Sequence, residues 1–208
     1  MFFIYLPMIQ RIKSEETQRL ILVNAFTLFY KNGYRSTSIP DIVKHAGLSK
    51  GAFYHHFKSK EDLGKQTINH ILRNRIYNGI IGPIKNHDSK PVITFLIDLF
   101  TNRIANFSET ESRLGCPLNN LINELGCAEE TFRINLRKII EEWKTALIDL
   151  LEYGKEKGEI KKNINTTVTA MYIISAFEGA RGIGKLYNDK EILQQYLFGF
   201  IAYVKQLE

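Results

Sequence analysis

Residues 37–63 read TSIPDIVKHAGLSKGAFYHHFKSKEDL, and this stretch decides the fold. Ser38 and Asp41 form a capping box, with Pro40 tolerated in the first turn of the helix they open. Ile39, Ile42, Val43 and Ala46 recur at i, i+3, i+4 and i+7, one face of a short helix. Gly47 breaks it, Leu48 is an apolar plug, and Ser49 caps a third short helix running to about Phe57. On that helix Phe53 and Phe57 face inward at i, i+4, while Lys50, Tyr54, His55 and His56 face outward. Ser59 and Asp62 repeat the capping box and open a longer fourth helix through Leu63, Ile68, Ile71 and Leu72.

Upstream, a first helix is expected to start at Ser14 as N-cap and to end at Gly33. Its apolar stripe is Ile21, Leu22, Ala25, Phe26, Leu28 and Phe29. Two short helices joined at a glycine and packed on a longer one make a helix-turn-helix, a unit that places its second helix in the DNA major groove. The chemistry of that helix fits. Lys50 stands at its N-terminus, where backbone N–H groups also favour phosphate. Gly51 and Ala52 let the backbone approach closely, and Tyr54, His55 and His56 supply donors. A structural helical hairpin would not need that division of faces.

The charge is distributed to match. Lys and Arg number 28 against 22 Asp and Glu, a net of +6. Residues 10–65 hold ten of the basic and five of the acidic residues, so nearly all the excess lies in the N-terminal quarter. A basic segment on a neutral body suits a polyanion.

At this point the chain resembles the DNA-binding domain of TetR-family transcriptional regulators. The resemblance rests on Gly33-Tyr34, Thr37-Ser38-Ile39, Asp41-Ile42, Ala46-Gly47-Leu48-Ser49-Lys50-Gly51, Phe53-Tyr54, His56-Phe57 and Ser59-Lys60-Glu61-Asp62-Leu63. Gly115-Cys116-Pro117-Leu118-Asn119 with Leu121, and Glu178-Gly179, also look like segments of that family. The resemblance implies an all-α homodimer with a variable C-terminal ligand or dimer domain, and a repressor usually released from its operator by a small molecule. By position it assigns Thr37 and Ser38 to phosphate contacts and Lys50, Gly51 and Ala52 to base reading. It places Tyr54, His55, His56 and Lys60 among phosphate or groove-edge contacts. Ala52 limits direct readout there to an apolar contact such as a thymine methyl.

The expected architecture is all-α. Residues 8–60 form the helix-turn-helix domain, and 61–208 a helical ligand-binding and dimerisation domain. A connection is expected from Gly79 to Pro91. Helices are expected from about Pro91 to Phe107, near Pro117 to Leu125, along Phe132 to Leu151 with Gly154 and Gly158 ending it, from Asn165 to Gly184, and through Leu193 to Val204. The helix at 165–184 has no wide polar face, and Ser175, Gly179 and Gly182 would admit a close partner. With Tyr196, Phe200 and Tyr203 after it, the last two helices are the expected dimer interface.

Arg103 falls mid-stripe on an apolar face beside Leu96, Leu99, Phe100 and Phe107, and a buried arginine needs a partner. Glu178 is the partner expected from sequence. Two readings stand, an internal salt bridge or a cation in a ligand cavity. The cavity reading gathers Arg103, Phe107, Cys116, Trp143, Tyr172 and Glu178 around an unknown small-molecule effector. Cys116, before Pro117 at a helix start, is either a packing cysteine or a thiol of lowered pKa. On one helix Cys116 and Cys127 would lie ~16 Å apart, too far for a disulfide.

Several classes are excluded. The chain has 208 residues and 44% apolar content, enough for a core and too much for disorder. Two cysteines build no disulfide framework, as expected of a cytoplasmic protein. No run reaches the ~18 apolar residues of a membrane span. The apolar start, Met1 to Met8, reads as a packing arm or as an extension ahead of a true start at Met8. There is no nucleotide loop, G-x-S-x-G, H-E-x-x-H or clustered carboxylate pair, so no enzyme is expected. The five histidines have no metal spacing with the cysteines, and neither metal nor cofactor is expected. The competing reading is a helical architectural or division-linked DNA binder with no small-molecule effector.

Overall fold

The structure is a computed structural model that describes residues 5–87, 90–127, 129–187 and 191–208, with the side chains of 5–9 set aside. Residues 1–4, at the head of the expected packing arm, and Asp88 in the expected connection lie outside the described residues. Helices α1 (Tyr5–Asn32), α2 (Ile39–His45) and α3 (Lys50–His56) form an N-terminal head. Helix α4 spans residues 60–85 and leads into the body. The body is α5 (Val92–Ala105), α6 (Glu109–Leu114), α7 (Pro117–Leu125), α8 (Glu130–Glu156), α9 (Thr166–Ile183) and α10 (Glu191–Lys205). The described residues contain no strand.

Three serines set the phases of the head. Ser38 accepts from the Asp41 N–H at 3.3 Å, while its own N–H donates to the Asp41 carboxylate at 2.9 Å. Ser49 Oγ accepts from Ala52 N–H at 3.1 Å, and Ser59 Oγ from Asp62 N–H at 3.1 Å. Each cap satisfies an amide that the helix cannot. The Gly47 turn has φ +67°, the left-handed region that glycine enters without strain. Ile21, Ala25, Ile42, Phe53, Phe57 and Leu63 close the head core with almost no exposure.

Three expectations are corrected. Helix α1 is already under way at Tyr5, so Ser14 lies inside it and caps nothing. The chain from Ile9 to Lys13 holds no breaker, and an Arg11–Glu15 ion pair supports the added turn. The connection expected at 79–91 shrinks to residues 86–91, because α4 continues through Gly82 and Pro83. Two π-turns, Ile68–Leu72 and Tyr77–Ile81, re-phase it, the second just before the proline that removes a donor. Gly154 does not end α8; it lies inside it, where a Cβ would meet Ile160 at 2.8 Å. Gly158, at φ +74°, follows the true end.

Helix α6 was not anticipated, although Ser108 and Glu111 form a capping box at its start. Glu124 of α7 ties the head to the body, accepting the backbone N–H groups of Tyr34 at 2.9 Å and Arg35 at 2.6 Å. Tyr34 also packs edge-on against Phe132 of α8, with centroids 5.1 Å apart.

Candidate nucleic-acid interface and internal cavity

The recognition face of α3 follows from its two phases. Phe53 is fully buried, while Tyr54 is 58% exposed beside it. Lys50, Gly51 and His55 are exposed, and Ala52 and His56 are half-buried. A Cβ on Gly51 would meet only its neighbour Ser49 Oγ, at 3.7 Å. Nothing inside the protein therefore requires a glycine there, although glycine in a helix costs ~1 kcal/mol relative to alanine. The open space lies outside, where an approaching surface would use it. Burial and the neighbouring His55 hold the His56 imidazole below its ordinary pKa.

Of the expected phosphate contacts, Thr37 is buried and Lys60 is half-buried. Thr37 is 1% exposed, and its hydroxyl donates to Gly33 O at 2.8 Å. The Lys60 ammonium lies 4.4 Å from the Tyr34 ring centroid and donates to Arg35 O at 3.3 Å. Thr37 follows the Gly33 turn (φ +88°), which bends the chain back on α1. Ser38 is exposed, but its hydroxyl is engaged by Asp41.

In the body, α4, α5, α8 and α9 enclose a cavity of about 10 Å³, room for one water-sized sphere. Arg103, Trp143 and Glu178 line it, as expected, joined by Arg75, Phe177 and Arg181. The expected Arg103–Glu178 pair does not form. Arg103 and Arg75 both bind one Glu111 oxygen, at 2.9 and 2.8 Å. Helix α6 brings Glu111 within reach of α4 and α5, while Glu178 sits across the cavity on α9. Burial pushes the Glu111 carboxyl up, but the Ser108 N–H and the two arginines prevail and hold it at about 2.

Phe107 is buried beside the cavity, with Arg103 and Arg181 guanidiniums 4.8 and 4.5 Å from its ring centroid. Tyr172 is not part of the cavity; it is half exposed on the outer face of α9, its ring tilted against Tyr203 with centroids 4.4 Å apart. Cys116 is buried at the start of α7, and burial and the neighbouring Glu178 raise its thiol to about 12. That is the opposite of the lowered value a reactive thiol needs. Burial likewise raises the Glu178 carboxyl.

Arg75, Glu111 and Arg181 escaped the sequence reading. The S-x-x-E signature at Ser108 could have found α6 and hence Glu111. Arg181 stands one turn after Glu178 on an otherwise apolar helix, the same oddity that marked Arg103. Arg181 donates to Gly115 O at 3.0 Å, and the Tyr30 hydroxyl of α1 donates to the same carbonyl at 2.6 Å.

The outer faces of α9 and α10 are apolar. Val168, Met171, Tyr172, Ile183 and Phe198 are each 44% exposed or more. Phe200, expected at that surface, is buried instead against Phe100 at 4.5 Å, because the stripe Leu193, Phe200 and Val204 faces the core. Gly179 and Gly199 would present a Cβ to open space.

Among the described residues, no helix is long and apolar enough to cross a membrane.

Comparison with known proteins agrees with this layout. Residues 21–66 match the family model for bacterial regulatory proteins of the tetR family, and residues 93–199 match a tetracyclin repressor-like C-terminal domain. An HTH-type transcriptional regulator of Lactococcus lactis is 30% identical over 188 residues, covering 86% of this chain and 88% of the relative. The HTH-type transcriptional repressor DhaR of Mycobacterium sp. (strain GP1) is 28% identical, covering 82% of this chain and 83% of its own. The crystal structure of a TetR transcriptional regulator from Chloroflexus aurantiacus superposes with TM-score 0.79 at 26% identity, over 93% of this chain and 96% of the other. A basic, serine-capped helix-turn-helix on a helical body, matched over both parts, places the chain in the TetR family of DNA-binding transcriptional regulators.

Proposed function

We propose that this regulator is a cytoplasmic homodimeric repressor released from its operator by a small molecule. The observation that carries the reading is the single helix α4. It starts just after the recognition helix, at Ser59, and its π-turn at Tyr77–Ile81 walls the internal cavity. A ligand that widens the cavity moves α4, and with it the head. It shifts the population only as far as it binds one head spacing better than the other.

Residues 8–60 act as the DNA head in this reading. Lys50, Gly51, Ala52, Tyr54 and His55 touch the major groove, with Ser38 and His56 at its edge. Thr37, buried, supports the head, and Lys60, half-buried over Tyr34, stands at its margin. The apolar faces of α9 and α10 pair with their copies across a two-fold axis, placing two recognition helices roughly 34–36 Å apart for adjacent grooves.

The test is operator DNA selected from random duplexes, titrated by fluorescence anisotropy, with and without small molecules extracted from the native host. Steeply salt-dependent binding as a dimer, reversed by the extract, is expected. Binding that no extract reverses favours the architectural reading, and a monomer by light scattering at micromolar concentration overturns the dimer.

A further inference from the structure

The inference rests on the effector reading and gives it a chemical class. The cavity holds more positive than negative charge. Arg75, Arg103 and Arg181 stand against Glu111 and Glu178, three guanidiniums to two carboxyls, and burial raises the Glu178 carboxyl. Three polar groups in its wall are left over. Trp143 Nε1 and Arg181 Nε have no hydrogen-bond partner among the described residues. No N–H or O–H from those residues reaches either Glu178 oxygen, and only the weak Cys116 thiol lies beside it. Trp143, Arg181 and Glu178 are 1%, 4% and 9% exposed, so bulk water does not satisfy them.

Trp143 Nε1 and Arg181 Nε can only donate. Two unpartnered donors in the wall of one small space call for an acceptor with more than one lone pair. We propose that the cavity binds a small carboxylate, its two oxygens accepting from Trp143 Nε1 and Arg181 Nε while its carbon skeleton lies on Phe177 and Trp143. An amine is disfavoured, because it would be placed among three guanidiniums.

The wall that must give is the π-turn Tyr77–Ile81 of α4. Gly79 there carries no side chain, and a Cβ would lie 3.4 Å from Arg103 Nε. The anchor is also placed to report occupancy. Arg181 shares the Gly115 carbonyl with Tyr30 of α1, so drawing Arg181 toward a carboxylate loosens a contact that holds the head.

The full-length protein, bound to selected operator, is titrated with acetate, butanoate and benzoate, with the matching amides, and with the matching amines. Thermal melts and DNA release are followed together. At least one carboxylate is expected to raise the melting temperature and free the DNA, where its amide and amine do neither. Trp143→Phe keeps the ring and removes the N–H, so carboxylate affinity should fall roughly tenfold. Arg181→Met should abolish release, with far-UV circular dichroism checking its fold.

Release by amines but not carboxylates overturns the class and leaves the effector reading standing, as does release by host extract alone. Indifference to all three series and to the extract overturns both. Unchanged carboxylate affinity in Trp143→Phe overturns the proposed geometry even if a carboxylate acts.

Discussion

The head and the body treat their polar groups in opposite ways. In the head, Ser38, Ser49 and Ser59 each cap the helix they open, and the Thr37 hydroxyl finds Gly33 O four residues away. Every such bond spans four residues or fewer. In the body, Glu111 draws in Arg75 and Arg103 from two other helices, and Trp143, Glu178 and Arg181 keep groups with no partner among the described residues. A region satisfied by its own neighbours is rigid and portable. A region that leaves buried donors unmatched keeps part of its stability in reserve for something that completes it.

The largest effect that would test this contrast is Phe53→Ala. Phe53 is 0% exposed and packs against the Phe57 ring, so truncation should cost about 3–5 kcal/mol. If the head is a self-contained unit, urea melts should show loss of head helicity and of operator binding, with the proposed α9–α10 dimer kept. One cooperative loss of everything breaks the contrast.

Next is the acid limb. Glu111 is held at about 2 against its ordinary 4.5, so it stabilises the fold at neutral pH. The unfolded chain takes up the proton first, and the contribution is lost as pH falls from about 4.5 toward 2, on the order of 2 kcal/mol. Glu111→Gln should flatten that part of a stability-versus-pH curve, while Asp41→Asn in the exposed head capping box should change it little. Equal effects from the two would erase the distinction.

Smaller again is Ser49→Ala, expected to cost about 1 kcal/mol as a lost N-cap, read by chemical denaturation. The smallest is Lys50→Ala. It should leave the fold intact, weaken operator binding modestly, and reduce the salt slope by about one unit. An unchanged slope would mean that Lys50 neutralises no DNA charge, and would remove it from the proposed DNA contacts.

The same contrast explains what was legible in the sequence. The head could be read almost residue by residue because its determinants are local. Capping boxes, Gly47 and the Phe53/Phe57 spacing all act within a turn or two, and the structure follows them. The exceptions needed knowledge of distant neighbours. Thr37 read as a surface hydroxyl until the Gly33 turn folded it inward, and Lys60 until Tyr34 came beneath it.

In the body, pattern gave most of the helices but not their pairings. Arg103 was visible as an oddity, yet its partner came from α6, a helix of six residues too short for periodicity to show. Tyr172 lies outside because an apolar residue on the nearly all-apolar α9 carries no sign of which side meets the core, and Phe200 lies inside because its stripe on α10 faces the core. The π-turns of α4 left no trace in the apolar spacing.

Glu124 holds the head by the backbone amides of Tyr34 and Arg35 rather than by any side chain. The only demand this grip makes on sequence is steric: at Gly33 a Cβ would lie 3.3 Å from the Glu124 carboxylate. A joint built on main chain is blind to what the recognition helix says. Residues 38–58 from another member could therefore be transplanted onto this body, changing the address on the DNA while the clasp stays the same.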